Sequence, residues 1–351
     1  MRTTLASLAL AGLAAACTDD APVAGGFTDR QVVVDFADQV VIPTYQLLDA
    51  RARALDAAVR ALAATPSPAT LTSARDAWIA ARVPWEQSEA FLFGPVSARG
   101  YDPAMDAWPV ERTDLDAVLA SDQPLTATFV HNLPETQKGF HTIEYLLFGE
   151  GGQRTAAELD GRTLAYLTAV TAELTSVTGA LTTAWTAGSP SYRDVLATAG
   201  DAGNTAYPSL DAAVQELLGG MSGICDEVAN GKIATPYDAH DADLIESQFS
   251  DNALVDFADN LRSVANAYAG DVPAAGTTGH GLDEVVRARD AALDARFRGE
   301  LDAAIAAIGA IPGRFGTAIV TPSAYPAIEA AQAAIRTVQT TIDRDLAAVV
   351  R

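Results

Sequence analysis

The chain is short of most of the residue types that would narrow its chemistry at once. Its 351 residues include two cysteines, Cys17 and Cys225, which excludes a disulfide framework and a cysteine-rich zinc site. Histidine is almost as scarce. His131, His141, His240 and His280 are the whole set, so any metal site here must be mostly carboxylate. Basic residues are few as well: 23 Lys and Arg stand against 45 Asp and Glu, a formal charge of −22. A surface of that sign repels phosphates and excludes nucleic acid as a partner, while it suits solubility and the attraction of cations. The Val-Ile-Thr-Tyr alternation that marks strands is rare. No Gly-x-Ser-x-Gly, phosphate-binding loop or dinucleotide fingerprint occurs, so nucleophilic and nucleotide chemistry have no support.

What is present is apolar and helix-forming. Hydrophobic residues make up 49% of the chain and aromatics 7%, with alanine supplying much of the apolar share. The periodicity predicts an all-α protein of two antiparallel helical bundles in series, over 28–187 and 188–351, with Gly188-Ser189-Pro190 as the boundary. Expected helices run from about 28 to 64 with a kink at Pro43, 69 to 93, 135 to 149, 156 to 187, 192 to 218, 252 to 268, 282 to 311 and 324 to 350. Residues 96–134, rich in Pro, Gly and Asp, read as a long ordered loop with a short helix near 114–120. Val34-Asp35-Phe36-Ala37-Asp38 recurs as Val255-Asp256-Phe257-Ala258-Asp259, which raises a duplicated bundle as an option.

The N-terminus reads as a targeting segment. Arg2 precedes an apolar stretch from Leu5 to Ala16 that is too short to span a bilayer, and Ala14-Ala15-Ala16-Cys17 closes it. The pattern resembles a bacterial lipoprotein signal with Cys17 as the lipidated residue, followed by a tether over 18–27. It places the protein outside the cytoplasm, anchored to a membrane of the cell envelope. Ala14-x-Ala16 also fits ordinary signal cleavage and a secreted protein. Cys225 reads as a small buried hydrophobe.

Two constellations carry possible chemistry. His141 and Glu144 lie at i and i+3 on a helix whose other residues (Phe140, Ile143, Tyr145, Leu146, Leu147, Phe148) are apolar nearly all round. Burying that pair demands a partner, which either a metal ion or a plain hydrogen bond supplies. The spacing departs from His-Glu-x-x-His, and no Glu-x-x-His of the di-iron kind occurs. On an earlier helix, Arg82, Glu86 and Glu89 share one stripe beside Trp78 and Trp85, and Pro84 is expected to bend it. That stripe reads equally as a surface Arg-Glu pair beside core tryptophans. Asp102 and Asp106 sit in the Pro-rich loop and could line a pocket. Tyr237, Asp238, His240, Asp241, Asp243 and Glu246 form a weaker acidic group, read as a solvated loop.

Taken in order, Arg82-x-Pro84-Trp85-Glu86-x-x-Glu89 with Gly94-Pro95, Trp108-Pro109, Gly139-x-His141-x-x-Glu144-Tyr145-Leu146-Leu147-Phe148-Gly149 and Glu246-Ser247-x-Phe249-Ser250 resemble the imelysin family. The resemblance implies an all-helical fold, a place in the bacterial envelope, a link to iron uptake and a peptidase label. By family match, His141 and Glu144 are motif residues. We expect them to bind a divalent or ferric metal ion together with Glu86 and Glu89. Iron is favoured and zinc or calcium are alternatives, with Arg82, Trp85, Trp78 and Asp102 lining the site. The corresponding partners are the metal or its chelate, the membrane through Cys17, and an iron-transport system. A metallopeptidase, and a binding module whose polar cluster only fixes helix packing, are the competing readings.

Overall fold

The computed structural model describes residues 29–350, so the signal, the tether and Cys17 lie outside the described residues. The chain is helical almost throughout. Among the described residues the strands form one short antiparallel ribbon, pairing Asp271 with Thr278 and Val272 with Thr277.

Eight helices make the frame. They are α1 (Ile42–Ala64), α2 (Pro68–Glu86), α3 (Gly139–Phe148), α4 (Gly161–Thr186), α5 (Leu210–Asp226), α6 (Ala253–Ala269), α7 (Ala291–Gly309) and α8 (Tyr325–Thr341). In the first half each helix packs on the next and α4 closes back on α1; in the second, α5 to α8 close the same ring. Two four-helix bundles therefore stand in series, as the periodicity predicts. They meet where α2 and the turn Glu89–Phe91 press against α6 and α5. The approach is close enough that a side chain at Gly220 on α5 would come within 2.1 Å of the Ala90 carbonyl oxygen. Gly219-Gly220, just past the expected helix end at 218, accordingly lies inside a continuous helix.

Several boundaries differ from expectation for identifiable reasons. The first helix is interrupted by a π turn, Phe36–Val41, immediately before Pro43, whose missing N–H removes one rung of the ladder. The second helix ends at Glu86 instead of near 93. Pro84 sits in its last turn, and the Ser88 hydroxyl caps the Trp85 carbonyl at 2.7 Å. Glu89 thus leaves the helical stripe and enters a separate 3₁₀ turn. The long loop is in fact four short helices, Pro95–Arg99, Tyr101–Asp106, Arg112–Ala120 and Ala127–His131. The expected helix 282–311 is two, parted at Asp290, whose side chain caps the second by accepting from Ala292 and Leu293. Between the expected helices ending at 218 and starting at 252 the chain stays helical as far as Ala239, because a π turn (Glu227–Ile233) carries α5 into Ala234–Ala239. The two Val-Asp-Phe-Ala-Asp segments are both helical, one at the entry to the first bundle and one in α6.

Candidate metal centre

A buried cluster of charge lies at the junction of the bundles, and backbone constraints aim it. Trp78 on α2 donates to the Phe140 carbonyl at 2.9 Å, tying α2 to the first turn of α3. Gly139 opens α3 at a φ of +75°, where a Cβ would stand 2.2 Å from the Met105 carbonyl oxygen. Only glycine lets α3 start against Met105, and this contact sets Asp106, the next residue, beside His141. Trp85 fixes Asp106 from the other side, donating to Oδ2 at 2.7 Å.

His141 is 2% exposed, and its two nitrogens have different surroundings. Nδ1 lies 3.1 Å from Glu144 Oε2. The other oxygen of Glu144 accepts from both the backbone N–H and the hydroxyl of Ser250, each at 2.7 Å, which locks the carboxylate in place. Nε2 lies 3.1 Å from Asp106 Oδ1 and 3.6 Å from Glu246 Oε1, with a hydrogen-bond alignment to neither. Asp106, His141 and Glu246 each offer a donor atom within 4.8 Å of the others.

A second oxygen group adjoins the first. Glu86, Glu89 and Asp106 also bring donor oxygens within 4.8 Å of one another, so Asp106 belongs to both groups. Asn260 Nδ2 on α6 donates to Glu86 Oε2 at 2.6 Å and to Glu89 Oε2 at 3.1 Å. Lys232, on the π turn, places Nζ 2.9 Å from Glu89 Oε2 and 2.9 Å from Glu246 Oε2. Arg82, fully buried, pairs with Asp106, Glu86, Glu246 (2.8 Å) and Asp256 (3.3 Å), and its guanidinium lies 5.2 Å from the Phe140 ring centre. Ser247 and Asn252 complete Asp256 at 2.5 and 2.7 Å.

The balance of charge is unequal. Glu86, Glu89, Asp106, Glu144, Glu246 and Asp256 are buried with only Arg82, Lys232 and His141 on the positive side. Burial pushes Glu86 and Glu89 well above the ordinary carboxylate range despite Arg82 and Lys232, and it pushes Asp256 up to about 6. For Asp106 and Glu246 burial acts the same way, but the adjacent cations (Arg82 first for Asp106, Lys232 first for Glu246) outweigh it and hold both below that range. At His141 burial acts to lower the pKa, yet the neighbouring carboxylates, Asp106 foremost, raise it well above the ordinary imidazole value. The raised pKa values of Glu86, Glu89 and His141 all favour their proton-bound forms, which offsets part of the excess negative charge.

The expected residues divide accordingly. His141 is in the first oxygen-nitrogen group, Glu86 and Glu89 are in the second, and Glu144 stands behind the imidazole with its oxygens turned to Nδ1 and Ser250. Arg82 and Trp85 contact the cluster directly, and Trp78 acts through Phe140. Asp102 is half-buried one turn before Asp106, and burial together with Asp106 raises its pKa to about 6. Sequence reasoning missed the roles of Asp106 and Lys232, and placed Glu246 in a solvated loop. One signal was available: the chain has just two lysines, Lys138 and Lys232, both buried, in a cationic set otherwise built of arginine.

A two-bundle helical protein with a buried histidine-carboxylate cluster at the seam is the class that fold and site define. The chain belongs to the imelysin family, whose model matches residues 41–342. It is 35% identical over 325 residues to iron-regulated protein A of Synechococcus elongatus, covering 92% of this chain and 87% of that protein. Among solved structures it is similar to a protein from Parabacteroides distasonis provisionally named an iron-regulated protein A precursor. That match has a TM-score of 0.81 and 29% identity, over 92% of this chain and 95% of the other. An imelysin-like protein from Psychrobacter arcticum shares the fold at a TM-score of 0.71 and 13% identity, over 91% and 94% of the two chains.

Proposed function

We propose that the chain binds a metal ion, iron by preference, at His141 Nε2, Asp106 and Glu246, and serves iron acquisition or sensing at the cell envelope. One observation carries the reading. Nε2 of His141 is buried without a hydrogen-bond partner among the described residues, while Nδ1 is engaged by a carboxylate that is itself locked by Ser250. A carboxylate behind one imidazole nitrogen fixes the tautomer and sharpens the other as a metal ligand. Glu144 is thus a positioning residue. Two carboxylates and one imidazole form a hard, oxygen-rich donor set of the kind that suits iron or manganese.

The excess of buried carboxylates supplies the attraction, since a cation that replaces protons there relieves the uncompensated charge. The similarity to iron-regulated protein A supports a link to iron, and on that link we place iron as the cargo and an iron-transport system as the partner. The carboxylates that a hydrolytic reading would use as a base, Glu86 and Glu89, both accept from Asn260 and lie against Lys232. Anchoring through Cys17 belongs to the same proposal, and loss of membrane partition in a Cys17→Ser chain tests it. The decisive measurement for the site is iron binding by the purified chain, native against His141→Ala. Equal binding by the two overturns the assignment.

A further inference from the structure

We propose that Lys232 is a tethered cation occupying a second, all-oxygen cation pocket, and that its ammonium group limits the centre to one metal ion. The inference deepens the metal-binding reading and rests on it for the first ion only.

The geometry around Nζ is that of a cation enclosed by carboxylates. Glu89 Oε2 and Glu246 Oε2 lie at 2.9 Å, Glu86 Oε2 at 3.7 Å and Glu227 Oε1 at 4.0 Å. The contact with Glu246 Oε2 lacks a hydrogen-bond alignment, as does every other contact of that oxygen among the described residues. Charge alone joins it to Lys232. Asn260 Oδ1 is likewise buried with no hydrogen-bond partner, whereas Glu86 Oε1 is taken up by the Arg82 ion pair. A surplus of acceptor atoms around one short, compact ammonium group describes a pocket with more donor capacity than its occupant uses.

The ligand class follows from the donors. Glu86, Glu89 and Asp106 provide oxygen only, which fits a hard divalent cation such as manganese or calcium. Asp106 belongs to this pocket and to the first group. An ion in each would share it as a bridging carboxylate. Lys232 prevents that arrangement by holding one positive charge where the second ion would sit. A lysine does this better than an arginine, because a point charge on a flexible stem fills a small cation site that a planar fork does not.

The test counts manganese bound to the full chain by equilibrium dialysis, with electron paramagnetic resonance to detect spin coupling between adjacent ions. The native chain is expected to bind one equivalent, and Lys232→Met two with a coupled signal. Adding Glu89→Gln to Lys232→Met should return the count to one. His141→Ala with Lys232→Met should bind one ion, in the second pocket. A folded Lys232→Met chain that binds no more ions than the native chain overturns the inference. So does a Lys232→Met chain that stays unfolded at saturating manganese, because an ion in the vacated pocket would restore the missing charge. The two readings fail separately. No ion in the native chain but one in the His141→Ala, Lys232→Met chain rejects the first site and upholds the second; one ion in both native and Lys232→Met chains does the reverse.

Discussion

Ser250 grips Glu144 twice, donating its backbone N–H and its hydroxyl to the same carboxylate oxygen at 2.7 Å each. Glu144 in turn holds Nδ1 of His141, so a residue 106 positions away in sequence governs the aim of the imidazole. Substituting Ser250 by alanine removes one of the two donors. We expect metal affinity to fall about tenfold and Glu144→Gln to cost more, within the roughly 10–100-fold range of positioning residues behind metal ligands. Competition titration against a chelator of known affinity measures both, and unchanged affinity in Glu144→Gln would remove its positioning role.

Arg82 is the hub of the negative cluster, and its removal leaves buried carboxylates without their main counter-charge. Arg82→Met should destabilise the metal-free chain by about 3–5 kcal/mol. Arg82→Lys should recover only part of that, because one ammonium cannot replace a fork that reaches Asp106, Glu86, Glu246 and Asp256. Urea unfolding gives the number, and a loss below about 1 kcal/mol would show the cluster to be compensated in some other way.

Gly139→Ala tests how tightly the backbone aims the site. A methyl group there meets the Met105 carbonyl at a positive φ, so either α3 or the Tyr101–Asp106 helix must shift. The expected result is a stability loss of more than ~1 kcal/mol together with weakened metal binding. A Gly139→Ala chain with native affinity would mean that Asp106 does not depend on this contact.

The electrostatics predict an unusual response to pH. Glu86, Glu89 and Asp256 have pKa values raised on folding, so the native state binds more protons than the unfolded chain. Their contribution is present below the ordinary carboxylate range and is lost as pH rises through about 6 and beyond. Asp106 and Glu246 act in the opposite sense, contributing above their unfolded pKa and losing that contribution in acid. The metal-free chain should therefore be most stable in mild acid and weaker at pH 8, with added metal closing the gap. Thermal unfolding across pH, with and without iron, reads this directly. A metal-free chain that is more stable at pH 8 than at pH 5 contradicts it.

The fold was largely legible because it rests on local signals. Helical periodicity and the apolar helix around His141 need no knowledge of distant contacts. The site was legible only in part. Arg82, Glu86 and His141 stand out through spacing and neighbours within one helix. Asp106 did not, because its partners are Arg82 and Trp85, 24 and 21 residues earlier, and His141 later. Glu246 is 164 residues from Arg82, and Lys232 is 143 from Glu89. No periodicity encodes pairings over such separations. The helix end at Glu86 was missed for a related reason: the stop comes from Pro84 and the Ser88 cap together, and neither alone is decisive.

The seam between the bundles has a mechanical consequence. The first half brings Glu86, Glu89, Asp106 and Glu144 with Arg82 and His141; the second brings Glu246 and Asp256 with Lys232. Parted, each half would expose a lopsided set of charges and the bare edge of Gly220 or Ala90. The halves are interlocking, like two parts of a clasp whose teeth are ions. Heating should therefore open the molecule in one cooperative step, visible as a single calorimetric transition, even though its outline is that of two separate bundles.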